Sequence, residues 1–276
     1  MNKNARQKSA RERLAEERKQ QAARERQRKL LLGVVGGITV AAVGVVAVVV
    51  LGNNASKSGQ KGIAYTGPLA TTVRQEDGSI LMAKEGVTGP TLEIFEDFQC
   101  PYCKKLEEAA GDAIYKAAAD GKARVIFRPF QLFKAPNQAE PVPSVSRRGA
   151  NAALCTPADK WPSYAKTLFA YQPEEGKNGF ENKDLLNWAR DLGFYSAEFD
   201  KCVVGLEKVA DIAKADAYAA AQKVEGTPTL KLNGQDMSMD QVNQIFSDPS
   251  SLERILAAAP APVTPSASAS PSTTDR

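Results

Sequence analysis

Apolar residues follow three rhythms along this chain. Residues 30–51 are continuously apolar, with no charge and one hydroxyl, Thr39. These 22 residues are enough to cross a bilayer as a helix, which needs about 20. From residue 70 onward the rhythm shortens. A β-capable stretch, the turn residues Glu76-Asp77-Gly78-Ser79 and the apolar Ile80-Leu81-Met82 predict a hairpin over residues 70–82. Residues 91–98 (TLEIFEDF) predict a first central strand. Residues 103–119 then change to a helical period, with Leu106, Ala110, Ala113, Ile114 and Ala117 on one face and Asp120-Gly121 as the stop. A second strand is expected within residues 123–133, at least through Phe127. Strand, helix and strand in this order form a βαβ unit with parallel strands and a right-handed crossover.

Residues 144–222 lack strong strand signals and predict a helical insertion. Its pieces are expected at 144–154, 162–171, 183–192 and 204–223. Leu185, Trp188, Ala189 and Leu192 form an apolar stripe suited to core packing. Strand character returns at residues 229–232, followed by Asn233-Gly234, a strong two-residue hairpin signal, and a short strand around 235–237. Helices at 240–246 and 251–258 complete the expected globular part, residues 63–259. Residues 52–62 are small and polar and predict a flexible tether. Residues 260–276 are rich in Pro, Ser, Thr and Ala, too poor in apolar area to fold, and predict disorder; a glycosylated or wall-contacting tail is the alternative.

Charge orients this arrangement. Residues 1–29 hold eleven Lys/Arg and four Asp/Glu, a net +7, whereas the whole chain is +4. A basic tail therefore precedes the apolar run, and the remaining chain is about −3. The positive-inside rule places residues 1–29 in the cytoplasm and everything after Leu51 outside, in a single-pass arrangement. A cleaved signal peptide is the rival, but its apolar core is normally about 7–15 residues, and residues 51–56 (LGNNAS) make a poor cleavage site. Residues 10–29 read as a solvated charged helix that enforces topology; binding to anionic lipid or nucleic acid is the sharper alternative.

The chemistry concentrates in Cys100-Pro101-Tyr102-Cys103, between the first central strand and its helix. A helix N-terminus carries partial positive charge and stabilises a thiolate, the species that attacks a disulfide. The second cysteine lies one turn on, within reach to resolve a mixed disulfide. Pro101 fits the first turn, where its missing N–H costs nothing. Histidine is absent from the chain, which excludes Ser–His–Asp and Cys–His catalysis and every His-ligated metal site. The CxxC has the spacing of half a zinc site, but no second close pair completes it. Four cysteines outside the cytoplasm offer two potential pairs.

The CPYC at a strand–helix junction, the helical insertion and Gly226-Thr227-Pro228-Thr229 before a strand resemble the thioredoxin superfamily. With Phe98-Gln99 preceding the CPYC, the chain is similar more narrowly to the DsbA-like extracytoplasmic thiol–disulfide oxidoreductases, over about residues 65–258. The resemblance implies an α/β thioredoxin-like fold with a helical insertion, here behind one transmembrane helix. It implies Cys100 as the exposed nucleophile, Cys103 as the buried resolving thiol, and Pro101 and Tyr102 as residues that tune the thiolate. It implies Pro228 as a cis-proline facing the site, leaving the Thr227 backbone to pair with an extended substrate. It also implies a structural disulfide between Cys155 and Cys202, two free buried thiols being the alternative. No bound cofactor is implied, since the cysteine pair is the redox centre. The expected partners are cysteine-containing exported proteins and a membrane oxidase of the DsbB or vitamin-K-epoxide-reductase type.

Two departures from the family pattern matter. The strongest oxidants carry His where this chain has Tyr102, so the direction of electron flow stays open between oxidase and reductase or isomerase, as in cytochrome maturation. Many relatives also place a buried carboxylate six residues before the nucleophile, where this chain has Ile94. Period-two alternation puts Glu96 on the same strand face. Glu96 is a candidate acceptor or relay for the Cys103 proton, with a solvated strand-end carboxylate as the alternative. A non-catalytic peptide-binding module using the Thr227-Pro228 groove is the competing class.

Overall fold

The computed structural model describes residues 59–259. The expected basic tail 1–29, membrane span 30–51, most of the tether 52–62 and the tail 260–276 lie outside the described residues. Among the described residues no helix is long and apolar enough to cross a membrane.

Six strands form one mixed sheet. β1 (Thr71–Arg74) and β2 (Ile80–Ala83) are the expected hairpin, and Asp77 closes its turn by accepting from Ser79 N at 3.0 Å. β3 (Thr91–Glu96) lies at the centre, parallel to β4 (Arg124–Pro129) and antiparallel to β5 (Thr229–Leu232), which turns through Asn233-Gly234 into β6 (Gln235–Asp236). The strand order is β1-β2-β4-β3-β5-β6. The parallel β3/β4 pair is joined by α1 (Pro101–Ala119), which completes the predicted βαβ unit.

Alternation along β3 divides the molecule into layers. Leu92 and Ile94 point to one face and enter the main core with Leu106, Ala110 and Ile114 of α1. Phe95 points to the other and meets Phe130, Tyr218 and Ala219. The helical insertion contributes α2 (Val142–Cys155), α3 (Trp161–Ala170), α4 (Asn182–Asp191), α5 (Ala197–Val204) and α6 (Val209–Ala221). It shares the main core. Trp161 lies 6.0 Å from the Phe98 ring and 6.2 Å from Phe127, and Phe169 lies 4.7 Å from Phe98. Leu185, Trp188 and Ala189 are buried, as the apolar stripe predicts, with Leu192 at its edge. α7 (Met239–Ser247) opens with a capping box of Ser238 and Gln241, and α8 (Ser251–Ala257) follows.

Three expectations need correction, and a fourth, the strand within 123–133, is met through Phe127 with its end now placed. The strand expected over 91–98 stops at Glu96, because the chain turns there and Cys100 N donates to Asp97 O at 2.9 Å. The strand expected within 123–133 stops at Pro129. Beyond it Gln131, Leu132 and Phe133 give their backbone N–H groups to the carboxylates of Asp216 and Asp97 rather than to a neighbouring strand. The helix expected over 204–223 starts later, as α6 at Val209, and an unexpected helix, α5, precedes it. α5 starts at its Ser196 cap and ends at Gly205, Leu206 adopts φ +50°, and Asn151 Oδ1 accepts from Lys208 N at 2.9 Å where α6 begins. The last residues of the expected tether are held in place: Gln60 O accepts from Trp188 Nε1 at 3.1 Å, and Gly62 N donates to Asp191 Oδ2 at 2.9 Å.

Cys155 and Cys202 are disulfide-bonded and join the end of α2 to α5 across 47 residues. Asn151 reinforces this junction by donating to Cys202 O at 3.2 Å. Closing a loop of that length restricts the unfolded chain by about 2–4 kcal/mol. The Cys155→Ser/Cys202→Ser variant is therefore expected to remain folded with a lower denaturant midpoint and a steeper slope, since its unfolded chain is less compact, measured by urea titration.

Candidate active site

Cys100 is the N-cap of α1, with extended backbone (φ −79°, ψ 120°) and Pro101 at the first helical position. The preceding loop is held by one buried carboxylate. Asp97 Oδ1 accepts from Gln99 N at 2.8 Å, and Oδ2 accepts from Ser146 Oγ at 2.7 Å, Leu132 N at 2.9 Å and Phe133 N at 3.2 Å. Burial pushes the Asp97 carboxyl up, and these four bonds pull it back. α2 approaches the same loop closely: a Cβ on Gly149 would stand 2.9 Å from Phe98 Cβ.

Thr227–Pro228 is a cis peptide, as expected, and brings β5 against the CPYC. The Cys100 thiol donates to Thr227 O at 3.2 Å. The Thr227 hydroxyl is buried without a hydrogen-bond partner, and Thr227 is among the groups that lower Cys100. The Thr227 carbonyl thus offers an acceptor to the protonated sulfur.

The two sulfurs differ electrically. Cys100 is lowered to about 7, first by the hydrogen bond from the Cys103 thiol; burial opposes this, and Thr227 and the backbone N–H groups of Cys103 and Tyr102 assist. Cys103 is pushed well above the usual thiol range, first by burial, then by its bond to Cys100, the Cys100 charge and the Glu96 charge. The expectation of an exposed Cys100 is not met. Cys100 is 3% exposed and Cys103 2%, because the Thr227–Pro228 segment covers the first sulfur. The rim is open instead: Pro101 is exposed and Tyr102 is 48% exposed, with the Lys105 ammonium 4.9 Å from its ring.

Glu96 is buried, with Oε1 lacking any hydrogen-bond partner, so the reading of a solvated strand end is wrong for this chain. Burial, then the charges of Glu107 and Asp97, hold its carboxyl well above the usual range. Glu107 escaped the sequence reading. It follows Cys103 by four residues on α1 and is pushed up to about 7, chiefly by burial, with the Lys166 ammonium 3.6 Å away opposing. Tyr115 donates to its Oε2 at 3.1 Å. Gly111, one further turn along, makes the room, since a Cβ there would stand 2.6 Å from the carboxyl carbon. The Glu107/Gly111 spacing was the available signal, and it was obscured by reading α1 through its apolar positions alone. Among the described residues, no cluster of three or more Cys, Asp or Glu is arranged to hold a metal ion.

These shifts have testable consequences. Thiolate absorbance of the reduced protein is expected to rise with a midpoint near pH 7 and to lose that step in Cys100→Ser. The depressed Cys100 adds stability to the dithiol form. That contribution is fully present above the unfolded thiol value of about 8.5 and is lost as pH falls through about 7. Glu107 acts oppositely: its raised value makes stability fall as pH rises from the unfolded carboxyl range of about 4.3 toward about 7. Glu107→Gln is expected to flatten that slope in denaturation midpoints measured across the same window.

A family model described as thioredoxin matches residues 88–253. No curated protein matches the chain. Among solved structures, MdbA of Corynebacterium diphtheriae, described as a thiol-disulfide oxidoreductase, is 20% identical with a TM-score of 0.55, over 71% of this chain and 100% of its own. MdbA of Corynebacterium matruchotii, described in the same terms, is 21% identical with a TM-score of 0.53, over 68% and 92%. Oxidised BdbD of Bacillus subtilis is 17% identical with a TM-score of 0.53, over 69% and 97%. At these identities the shared property is the fold. With the CPYC at the start of α1, the cis Thr227–Pro228 beside it and the match over more than half its length, the chain belongs to the thioredoxin family and has the DsbA-like form of its fold.

Proposed function

We propose that this protein is a membrane-anchored, outward-facing thiol–disulfide oxidoreductase that forms disulfides in exported proteins. The observation that carries this reading is the unequal sulfur pair: a Cys100 lowered to about 7 beside a Cys103 raised well above the thiol range, against the Thr227–Pro228 backbone. In the disulfide form, a client thiolate attacks the Cys100 sulfur. The Cys100–Cys103 bond breaks, Cys103 leaves with the electron pair, and a client–Cys100 bond forms. Cys103 then takes a proton, for which the protonated Glu96 is the candidate donor. A second client thiolate attacks the client sulfur, and Cys100 leaves as the stabilised thiolate. The client has lost two electrons and the enzyme holds them as a dithiol. A quinone-linked membrane oxidase of the DsbB or vitamin-K-epoxide-reductase type would remove them.

The anchoring part of the proposal is supported by the uncharged residues 30–51 and the net +7 of residues 1–29. The oxidising direction is supported by the stabilised thiolate, since a stable reduced form makes a strong oxidant. Tyr102 at the variable position favours a second reading, the same chemistry run as reductase or isomerase. Client access past the Thr227–Pro228 segment requires an extended chain, because Cys100 is almost covered.

Two measurements test this function. Cys103→Ala is expected to accumulate mixed disulfides with exported proteins that dithiothreitol releases, and Cys100→Ser to accumulate none; an absence of adducts in the first variant would overturn the proposal. Equilibration with glutathione is expected to give a potential above the roughly −270 mV of thioredoxin, and a value at or below it assigns the reducing direction.

A further inference from the structure

The helical insertion reaches the reactive loop through one side chain. Gln172 lies two residues beyond α3, in the segment that leads toward α4. Its Nε2 donates to Phe98 O at 2.8 Å and to Cys100 O at 2.9 Å, so both hydrogens of one amide are engaged. Gln99 answers from the opposite side, donating from Nε2 to Pro173 O at 3.2 Å. The Cys100 carbonyl also accepts from Lys104 N at 3.2 Å, the first backbone bond of the active-site helix.

These two carbonyls flank the reactive residue. Both oxygens belong to the turn that carries the nearly covered Cys100, and a carbonyl oxygen is the negative end of its peptide dipole. A donor on each oxygen offsets that negative potential, and a thiolate in such surroundings is sensitive to it. The amide also ties the two peptide planes to each other, which fixes the direction in which the Cys100 side chain leaves the helix cap. Only an amide of this length does both. An ionised Glu offers acceptors alone, and Asn is one methylene shorter.

We propose that Gln172 is a positioning residue for the thiol–disulfide chemistry, through which the helical insertion holds the Phe98 and Cys100 carbonyls and favours the Cys100 thiolate. This rests on the function proposed above. The signal in the sequence is absent, because Gln172 and Cys100 are 72 residues apart.

The test uses the reduced full-length protein and its Gln172→Ala and Gln172→Glu variants. Three readouts are followed: thiolate absorbance against pH, the equilibrium with glutathione, and the melting midpoint. In Gln172→Ala the acid dissociation constant of Cys100 is expected to fall about three- to tenfold, where tenfold corresponds to one pKa unit. In Gln172→Glu it is expected to fall further, and in both the glutathione equilibrium moves toward the enzyme disulfide. Titration curves and equilibria equal to the wild type in both variants, whether or not melting drops, would overturn the proposal and leave Gln172 a purely structural tie. A wild-type Cys100 that titrates like an ordinary thiol, near 8.5, would instead strike at the oxidoreductase reading and take this proposal with it.

Discussion

Two sulfurs held together in a nearly dry site cannot both carry charge, and they share what protons they have. Cys103 gives its hydrogen to Cys100, and that single bond is the largest influence lowering the first thiol. The same bond is among the reasons the second thiol stays protonated. Steric exposure does not separate the two cysteines, since both are almost covered. The asymmetry on which exchange chemistry depends is therefore electrostatic, and the surrounding structure maintains it. Asp97 gathers four donors and sets the loop, the cis Thr227–Pro228 segment covers the sulfur, and Pro101 starts the helix without an N–H to satisfy.

Behind the sulfurs the core is unusually polar. Glu107 raises Glu96, and each leaves one oxygen without a hydrogen-bond partner in the protein. Burying such groups destabilises a fold unless they are paired or protonated. Here the Tyr115 hydroxyl and the Lys166 ammonium compensate Glu107 in part, and Glu96 has only protonation to relieve it. An arrangement that costs stability at neutral pH, one turn of helix from Cys103, has a use if Cys103 must exchange a proton each time its bond to Cys100 forms or breaks. The family position six residues before the nucleophile is filled by Ile94, which is 1% exposed and packs in the core. The buried carboxylate of this strand, Glu96, stands two residues further along.

The helical insertion is not a separate body. Trp161 and Phe169 pack on Phe98, Ser146 serves Asp97, and Gln172 holds two carbonyls of the reactive loop. The disulfide between Cys155 and Cys202 secures the far side of the same insertion, away from the exchanging pair. One cysteine pair is bonded across the insertion and the other holds two free thiols, and the distinction follows from surroundings, because the residue type is the same.

Local chemistry in the sequence determined the βαβ unit, the CPYC at a helix start, the Asn233-Gly234 hairpin and the core stripe of α4. Each of these depends on neighbours within a few turns: period two or period 3.6, a proline at N1, a turn residue pair. The family likeness supplied the cis Thr227–Pro228 and the Cys155–Cys202 bond, which no local pattern carries. Where local reading failed, a distant group had intervened. β4 ends at Pro129 because the Asp97 and Asp216 carboxylates capture the backbone N–H groups that follow it, and the helix expected from residue 204 starts only at Val209, beside Asn151. The charge state of each sulfur, the burial of Glu96, the place of Glu107 and the reach of Gln172 belong to the tertiary structure alone. Desolvation and hydrogen bonding depend on which surfaces close around a group, and those surfaces come from segments 49 to 127 residues away that no window along the chain contains.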